Sequence, residues 1–555
     1  MQDIPPIKLE SREFWALGLT LLMIAYTIAV MPPIMPLVVR EFSSSLGFIQ
    51  GALVLFSLVT ASFSPTSENL SQRYGRERVY RTALIIYGLG VLVVALSRDI
   101  GVMVLAFSFV MGVAATPLVS TPWAIMDFAY DGKQEMRATL AFIFLSTLGG
   151  LSGGLLGGWI AHQVGWRAAY IPTGFLLLIV LYLGRSLPQI PPARKDPIDW
   201  VGGMLSLLGL GSILVAISLA GEFGWWEPKR QFLIAGVVIP PFAISIVPTL
   251  IAVGIVLLGF FAYWQRRQAN LQGGASLLRM GLLRQRTFVI GLIVAMLHVL
   301  VVTGVQFNLY QFLPSEGLNP FQTALVVLPY NLTTLVALMI ILRFLSLEAI
   351  LPPRRVILFG LAFLTVGLGI LYQALEDPIT AFSLLPSLVI MGLGSALFLA
   401  YINALTYAAA KPEEKPEGTG IYNPCQNLGS SLGRGILGTA LMFFASRSIV
   451  DGILHELGRQ LSPPERRDTI QRLQVMLQTY GREEVAKEFA KLPASVKPAL
   501  KDIIHQAAVE GMRHSLLIGI GLSAIALVLA THLPKYPCAT ARAHREYGDP
   551  PLKSI

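Results

Sequence analysis

Fourteen apolar runs, each long enough to cross a bilayer as a helix, constrain this chain to a helical membrane fold. They fall at about 14–37, 46–66, 79–97, 101–126, 138–161, 166–187, 198–221, 242–264, 287–313, 321–343, 355–375, 380–409, 417–446 and 514–533 of the 555 residues. In hydrocarbon every backbone N–H and C=O must be paired within the protein, and runs of this length pair theirs as α-helices. The chain is 54% apolar and 13% charged, against about 25% charged in soluble domains. An all-α integral membrane protein with 14 transmembrane helices is therefore expected. The first run exceeds a secretory leader's apolar core and lacks a small-residue cleavage site, so it reads as the first span.

Lys and Arg gather in the terminal segments and in every second short loop. That bias explains the net charge of +10 without a nucleic-acid partner. It predicts a multi-pass protein of the cell (inner or plasma) membrane with both termini cytoplasmic. Cys425 and Cys538 are too few for a disulfide framework. No phosphate-binding glycine loop, metal-ligand cluster or nucleophile–base arrangement is visible, so the expectations are no enzymatic activity, no cofactor, no metal and no ATP drive.

The densest local feature is Leu148–Gly158, which carries Gly149, Gly150, Gly153, Gly154, Gly157 and Gly158 inside the fifth span. Glycine weakens a helix interior by about 1 kcal/mol per residue, but small residues let helix backbones approach closely in lipid. Such a face serves either a tight static helix pair or a contact that slides between two halves of a transporter. A second copy follows 280 positions later: Leu148, Gly149, Gly153 and Gly158 align with Leu428, Gly429, Gly433 and Gly438, and Arg434 falls on Gly154. Val79–Leu96 similarly echoes Val356–Leu375, each after an Arg-rich loop and each with Gly-Leu-Gly. Two membrane halves with the same order of features mark a secondary transporter built from repeats.

The loop between spans 2 and 3 runs from Pro65 to Arg78 as Pro-Thr-Ser-Glu-Asn-Leu-Ser-Gln-Arg-Tyr-Gly-Arg-Glu-Arg. It resembles the Gly-x-Leu-x-Asp-Arg-x-Gly-Arg-Lys loop of the major facilitator superfamily at Leu70, Arg73, Gly75 and Arg76. Glu68 stands at that family's Gly and Gln72 at its Asp. A glycine turn studded with Arg can bond the carbonyl ends of neighbouring helices, or serve as a positive-inside loop with no gating role. Asp127 and Arg137 fall where the family places an acid and a base around span 4. The glycines of span 5, Gly165-Trp166-Arg167, Asp199-Trp200-Val201-Gly202, Gly224-Trp225 and Asn423 with Gln426-Asn427-Leu428-Gly429 resemble its fourteen-helix drug:proton antiporter branch.

That resemblance implies two six-helix bundles, 1–190 and 271–555, flanking two inserted helices in 191–270. The second bundle includes an extracytoplasmic loop, 447–513, and a cytoplasmic tail, 534–555. Substrate would bind between the bundles near mid-membrane, with access alternating by rocking. The sequence departs from the branch in its coupling residues: span 1 has no Asp or Glu around Tyr26, and Ser108 stands where span 4 would carry Arg.

His298 and Arg434 are the ionisable residues deep in the second half. His298, eleven residues into its span, lies about 17 Å deep at 1.5 Å per residue. It is a candidate for coupling transport to protons, against a neutral imidazole bonded between helices. Arg434 at such depth costs on the order of 2.5–3.5 kcal/mol unless it faces a cavity or a partner. It is expected to face the space between bundles and favour anionic or electron-rich groups, the alternative being a structurally bonded Arg. Tyr26, Gln306, Asn308, Tyr330, Asn331, Tyr401 and Asn403 complete the candidate cavity wall, although each could equally be interhelical glue.

These features predict a secondary exporter of amphipathic or lipophilic organic compounds, driven by protons if His298 titrates. The alternatives are an uncoupled facilitator, a carrier of one metabolite, or a non-transporting receptor or scaffold. A monomer is expected. The 447–513 segment carries Ile470, Leu473 and Leu477, then Leu500, Ile503, Ile504 and Ala507, at helical spacing. It reads as two or three short amphipathic helices over the outer mouth, or as a docking surface for an external adaptor protein.

Overall fold

A computed structural model describes residues 11–42, 46–130, 133–187, 199–226, 228, 233–234, 237–238, 244–270, 282–343, 351–375, 381–408, 415–479, 482–493 and 495–536. Each expected span is a helix. The first six are α1 (Arg12–Phe42), α2 (Leu46–Tyr74), α3 (Arg76–Leu96), α4 (Ile100–Met126), α5 (Arg137–Gln163) and α6 (Trp166–Leu183). Two more, α7 (Trp200–Phe223) and α8 (Ile246–Asn270), precede the last six. Those are α9 (Arg286–Ser315), α10 (Pro320–Arg343), α11 (Pro353–Ala374), α12 (Ala381–Thr406), α13 (Lys415–Glu456) and α14 (Leu500–Ala530). Thirteen are long and apolar enough to cross a membrane; α2 has a shorter apolar stretch, Gly51–Ser64, before its polar end. Two residue pairs, Leu233–Ile234 and Val237–Val238, form a small antiparallel ladder between α7 and α8.

Lipid-facing sides are legible in the exposed apolar residues. Ile85, Leu89, Leu92 and Leu96 make a helical stripe on α3, and Phe175, Leu178 and Tyr182 make one on α6. A water-exposed surface would not carry such stripes on so many helices, so this is a multi-pass membrane protein.

Inside, α1 to α6 share one apolar cluster around Tyr26, Tyr80, Phe107, Phe142 and Tyr170. α9 to α14 share another around Phe288, Phe312, Leu364, Phe398 and Leu516, joined by Leu140 of α5. Leu58 and Val59 of α2 meet Leu214 and Ile217 of α7, with Leu428 and Leu432 of α13 packed against them. α7 thus touches both an early and a late helix. Its start is held by Asp199, whose carboxylate accepts from the Gly202 amide (2.7 Å), Trp264 Nε1 (2.9 Å) and Gln265 Nε2 (2.7 Å). The Asp-Trp-Val-Gly stretch is therefore a helix cap that also ties α7 to α8.

Two short helices lie in the 447–513 segment as expected, and Ile470, Leu473 and Leu477 fall on the first of them, but the 500–507 stretch does not form a third. α13 runs on to Glu456 and α14 already begins at Leu500. Leu500, Ile503, Ile504 and Ala507 are thus the leading turns of α14, because no proline interrupts the chain between Lys501 and Leu516. Ile503 packs on Gly452 of α13, so the two helices stay paired beyond the apolar layer. Between them lie Pro463–Thr479 and Arg482–Ala490. Arg466 clamps Asp451 of α13 through Nε–Oδ1 (2.7 Å) and Nη2–Oδ2 (2.5 Å). Bonds from Ser462 hold the exposed Glu465 carboxyl below the usual range and form part of a capping box. His505 Nδ1 lies 2.8 Å from Glu316 Oε2, joining the α14 extension to the end of α9.

Candidate functional site

The glycine-rich faces set the backbone geometry on which any site is built. A Cβ at Gly149 or Gly153 would strike the carbonyls of Leu22 or Tyr26 in α1, and one at Gly157 would strike Val30. In the second half, Gly429 and Gly433 stand in the same way against the carbonyls of Met296 and Leu300 in α9. The close contact therefore runs within each half, α5 on α1 and α13 on α9. Gly158 touches Pro33 of α1, Gly150 has open space beside it, and Gly154 faces Tyr310 of α9 across the halves. A π-helical turn, Gly153–Gly157, interrupts α5 here, while α13 continues without a break.

Arg434 lies where the halves meet near the end from which the 447–513 segment emerges. Its Nη1 donates to the Leu53 carbonyl (3.2 Å) and Ser57 Oγ (3.2 Å) of α2, and Nη2 donates to Ser430 Oγ (2.9 Å) one turn back on α13. Every one of these acceptors is a neutral oxygen. Ser430 could be found from sequence by its i−4 spacing; Leu53 and Ser57 give no signal because α2 is unrelated to α13 by any local pattern.

His298 is elsewhere, inside the second half. Nε2 is 3.2 Å from Ser395 Oγ, and the ring stacks on Phe398 at 4.2 Å between centroids. Tyr330 Oη donates to the same Ser395 oxygen (2.9 Å), so α9, α10 and α12 meet at one serine. Nδ1 is buried with no bond among the described residues. The structure brings His298 and Tyr330 together, with Ser395 and Phe398 as members the sequence reading missed.

Two candidates for the cavity wall face other ways. Tyr26 Oη donates to the Ala169 carbonyl (3.0 Å) inside the first half. Asn308 is fully buried, its Nδ2 donating to the Leu437 carbonyl (2.9 Å) and Ser515 Oγ (2.7 Å). Each of these two polar groups is bonded to a backbone carbonyl of a neighbouring helix, as interhelical glue would be. Tyr401 is buried, while Gln306, Asn331 and Asn403 are half-buried.

The loop between α2 and α3 turns at Gly75, whose φ of 92° suits glycine. Arg76 folds back on Glu68 as a two-bond ion pair, both side chains buried, and Gln72 Nε2 donates to the same carboxylate (3.1 Å). The acid has thus moved one helical turn earlier than in the family loop, with Gln72 bridging. Arg73 and Arg137 are exposed, and the side chain of Asp127 lies outside the described residues. A carbonyl end is bonded from this region, but by Arg81, which donates to Arg185 O (2.9 Å) past the end of α6.

Two like-packed sets of six helices, α1–α6 and α9–α14, with polar bonds across the meeting surface, define a membrane transporter of the two-bundle kind. The chain belongs to the Major Facilitator Superfamily, whose family model matches residues 17–434 and 292–542. It is a transporter and not an enzyme. It is similar to multidrug resistance protein Stp of Mycobacterium tuberculosis, 24% identical over 441 residues covering 78% of this chain and 76% of that one. The probable actinorhodin transporter of Streptomyces coelicolor is 24% identical over 462 residues, 80% of this chain and 75% of its own. The multidrug efflux pump LfrA of Mycolicibacterium smegmatis is 25% identical over 443 residues, 78% and 81%. Among solved structures, the human organic anion transporter MFSD10 (TETRAN) superposes with a TM-score of 0.56 at 13% identity, covering 94% of this chain and 98% of that one. That likeness speaks for the fold.

Proposed function

We propose that this transporter exports amphipathic or lipophilic organic compounds by alternating access. The observation that carries the reading is the pair of glycine seams in matching register, which make each half a rigid body able to rock on the other. The named functions of the relatives support the choice of drug-like cargo. In this reading 1–190 and 271–555 are the moving bundles, 191–270 is an inserted pair, the protein works as a monomer and both termini are cytoplasmic. The helices between 456 and 500 offer a surface for an adaptor.

For coupling, the candidate is His298, a titratable group within the apolar part of α9 that bonds to Ser395 of α12. Gradient-driven accumulation and substrate counterflow are measured separately in proteoliposomes. Under this reading His298→Gln keeps counterflow and loses accumulation. Wild-type accumulation that survives collapse of the pH gradient removes proton coupling, and absence of any counterflow by the wild type removes the exporter reading itself.

A further inference from the structure

We propose that Arg434 is an anion-binding residue, that organic anions are among the compounds carried, and that a bound anion takes the guanidinium away from α2. The inference rests on the exporter reading and names a substrate class for it. Arg434 is half-buried, and the starting point is how the protein treats its fully buried charges. Arg76 is answered by the Glu68 carboxylate, and the Asp199 carboxylate by three N–H donors. Arg434 is bonded to Leu53 O, Ser57 Oγ and Ser430 Oγ, and among the described residues no carboxylate pairs with it. A guanidinium held by neutral oxygens in an apolar layer attracts an anion and repels a cation. Its planar fork also fits two oxygens of a carboxylate or sulfonate at once.

The second observation is what happens to each partner when the contact opens. The Leu53 carbonyl already accepts from Ser57 Oγ at 3.2 Å, so both α2 oxygens keep a bond after Arg434 leaves. The group left wanting is the guanidinium. Because α2 belongs to one half and α13 to the other, these bonds must break for the halves to part at this end. An anion that supplies the lost acceptors binds the parted state better than the closed one, and a ligand shifts such an equilibrium by its differential affinity. Helix 2 and the substrate thus compete for the same donors.

The test uses two dyes on one xanthene scaffold, fluorescein as the anion and rhodamine 123 as the cation, with the full chain in proteoliposomes. The wild type is expected to move fluorescein, and Arg434→Gln to lower the fluorescein-to-rhodamine flux ratio about tenfold. Arg434→Lys, which keeps the charge and loses the fork, should lower it about threefold. Ser57→Ala weakens the hold of α2 and should reduce the half-saturating fluorescein concentration about threefold, a change that a purely structural arginine would not produce. A flux ratio unmoved by Arg434→Gln, or rhodamine moved and fluorescein not moved by the wild type, overturns the anion proposal and leaves the exporter standing. If the wild type moves neither dye nor any other organic probe, the exporter reading falls and takes this proposal with it.

Discussion

In the first half, Gly149 and Gly153 of α5 sit on the carbonyls of Leu22 and Tyr26; in the second, Gly429 and Gly433 of α13 sit on those of Met296 and Leu300. The partners are four residues apart on both sides, so the two seams share one register. A second likeness lies at the opposite end: Arg81 of α3 bonds the carbonyl of Arg185 beyond α6, and Arg354 of α11 bonds those of Thr531 and Leu533 beyond α14 (3.3 Å each). The halves part company one residue past the seam, where Gly154 faces Tyr310 and Arg434 faces α2. Backbone approach is what the repeat preserves. Side-chain chemistry at the meeting surface is where one half has become different from the other.

The largest effect should come from a charge that only the first half is seen to bury. Glu68→Ala strands Arg76 and should cost about 3–5 kcal/mol, the range for removing one partner of a buried ion pair. Thermal unfolding in detergent measures it, and adding Arg76→Met should recover most of the loss. A small loss in the single variant would mean that water reaches the pair.

The seams come next. Leucine at Gly153 or Gly433 must displace a backbone carbonyl, an overpacking cost of about 1–3 kcal/mol. Flux should fall at least as far as folded yield in both variants. Unequal losses would break the equivalence of the two seams. Smaller still is Arg354, half-buried and bonded to backbone carbonyls, whose change to Ala should cost about 1 kcal/mol, read as a small shift in melting temperature; Arg81→Ala should shift it further, because it also strands the buried Glu77 carboxylate. Within α5 itself, Gly150→Ala meets open space and Gly154→Ala meets Tyr310 Oη at 3.3 Å. Both should fold and transport nearly as the parent, and a severe defect in Gly150→Ala would mean that the two faces of α5 are assigned the wrong way round.

The spans were readable because lipid imposes one rule, internal pairing of every backbone group, and long apolar runs are the only sequence that satisfies it. The repeat was readable because Gly429 and Gly433 keep their spacing. Which neighbour those glycines touched was not readable, since a small residue signals close approach and carries no address. The same limit applied to Arg434: its depth said that it needs acceptors, while Leu53 and Ser57 lie some 380 positions away with nothing local to mark them. Leu500–Ala507 reads in sequence as a separate amphipathic piece because polarity changes where a helix leaves lipid, although the hydrogen-bond ladder does not. Tyr26 and Asn308 show the remaining ambiguity, as a polar group in a membrane can be satisfied by a backbone carbonyl as well as by a ligand.

α13 is a rod of 42 residues, about 63 Å at 1.5 Å per residue, and Arg434 lies near its middle. From there to Glu456 is about 33 Å by the same rise, so in the proposed rocking the rod would act as a lever with its fulcrum at the meeting surface. A swing of about 10° carries its tip about 6 Å by that arm length. Arg466 clamps the Pro463–Thr479 helix onto that arm through Asp451, so this helix would travel with it. Fluorophores on this helix and on the first half would therefore read each transport stroke as a distance change, stroke by stroke, in a single molecule.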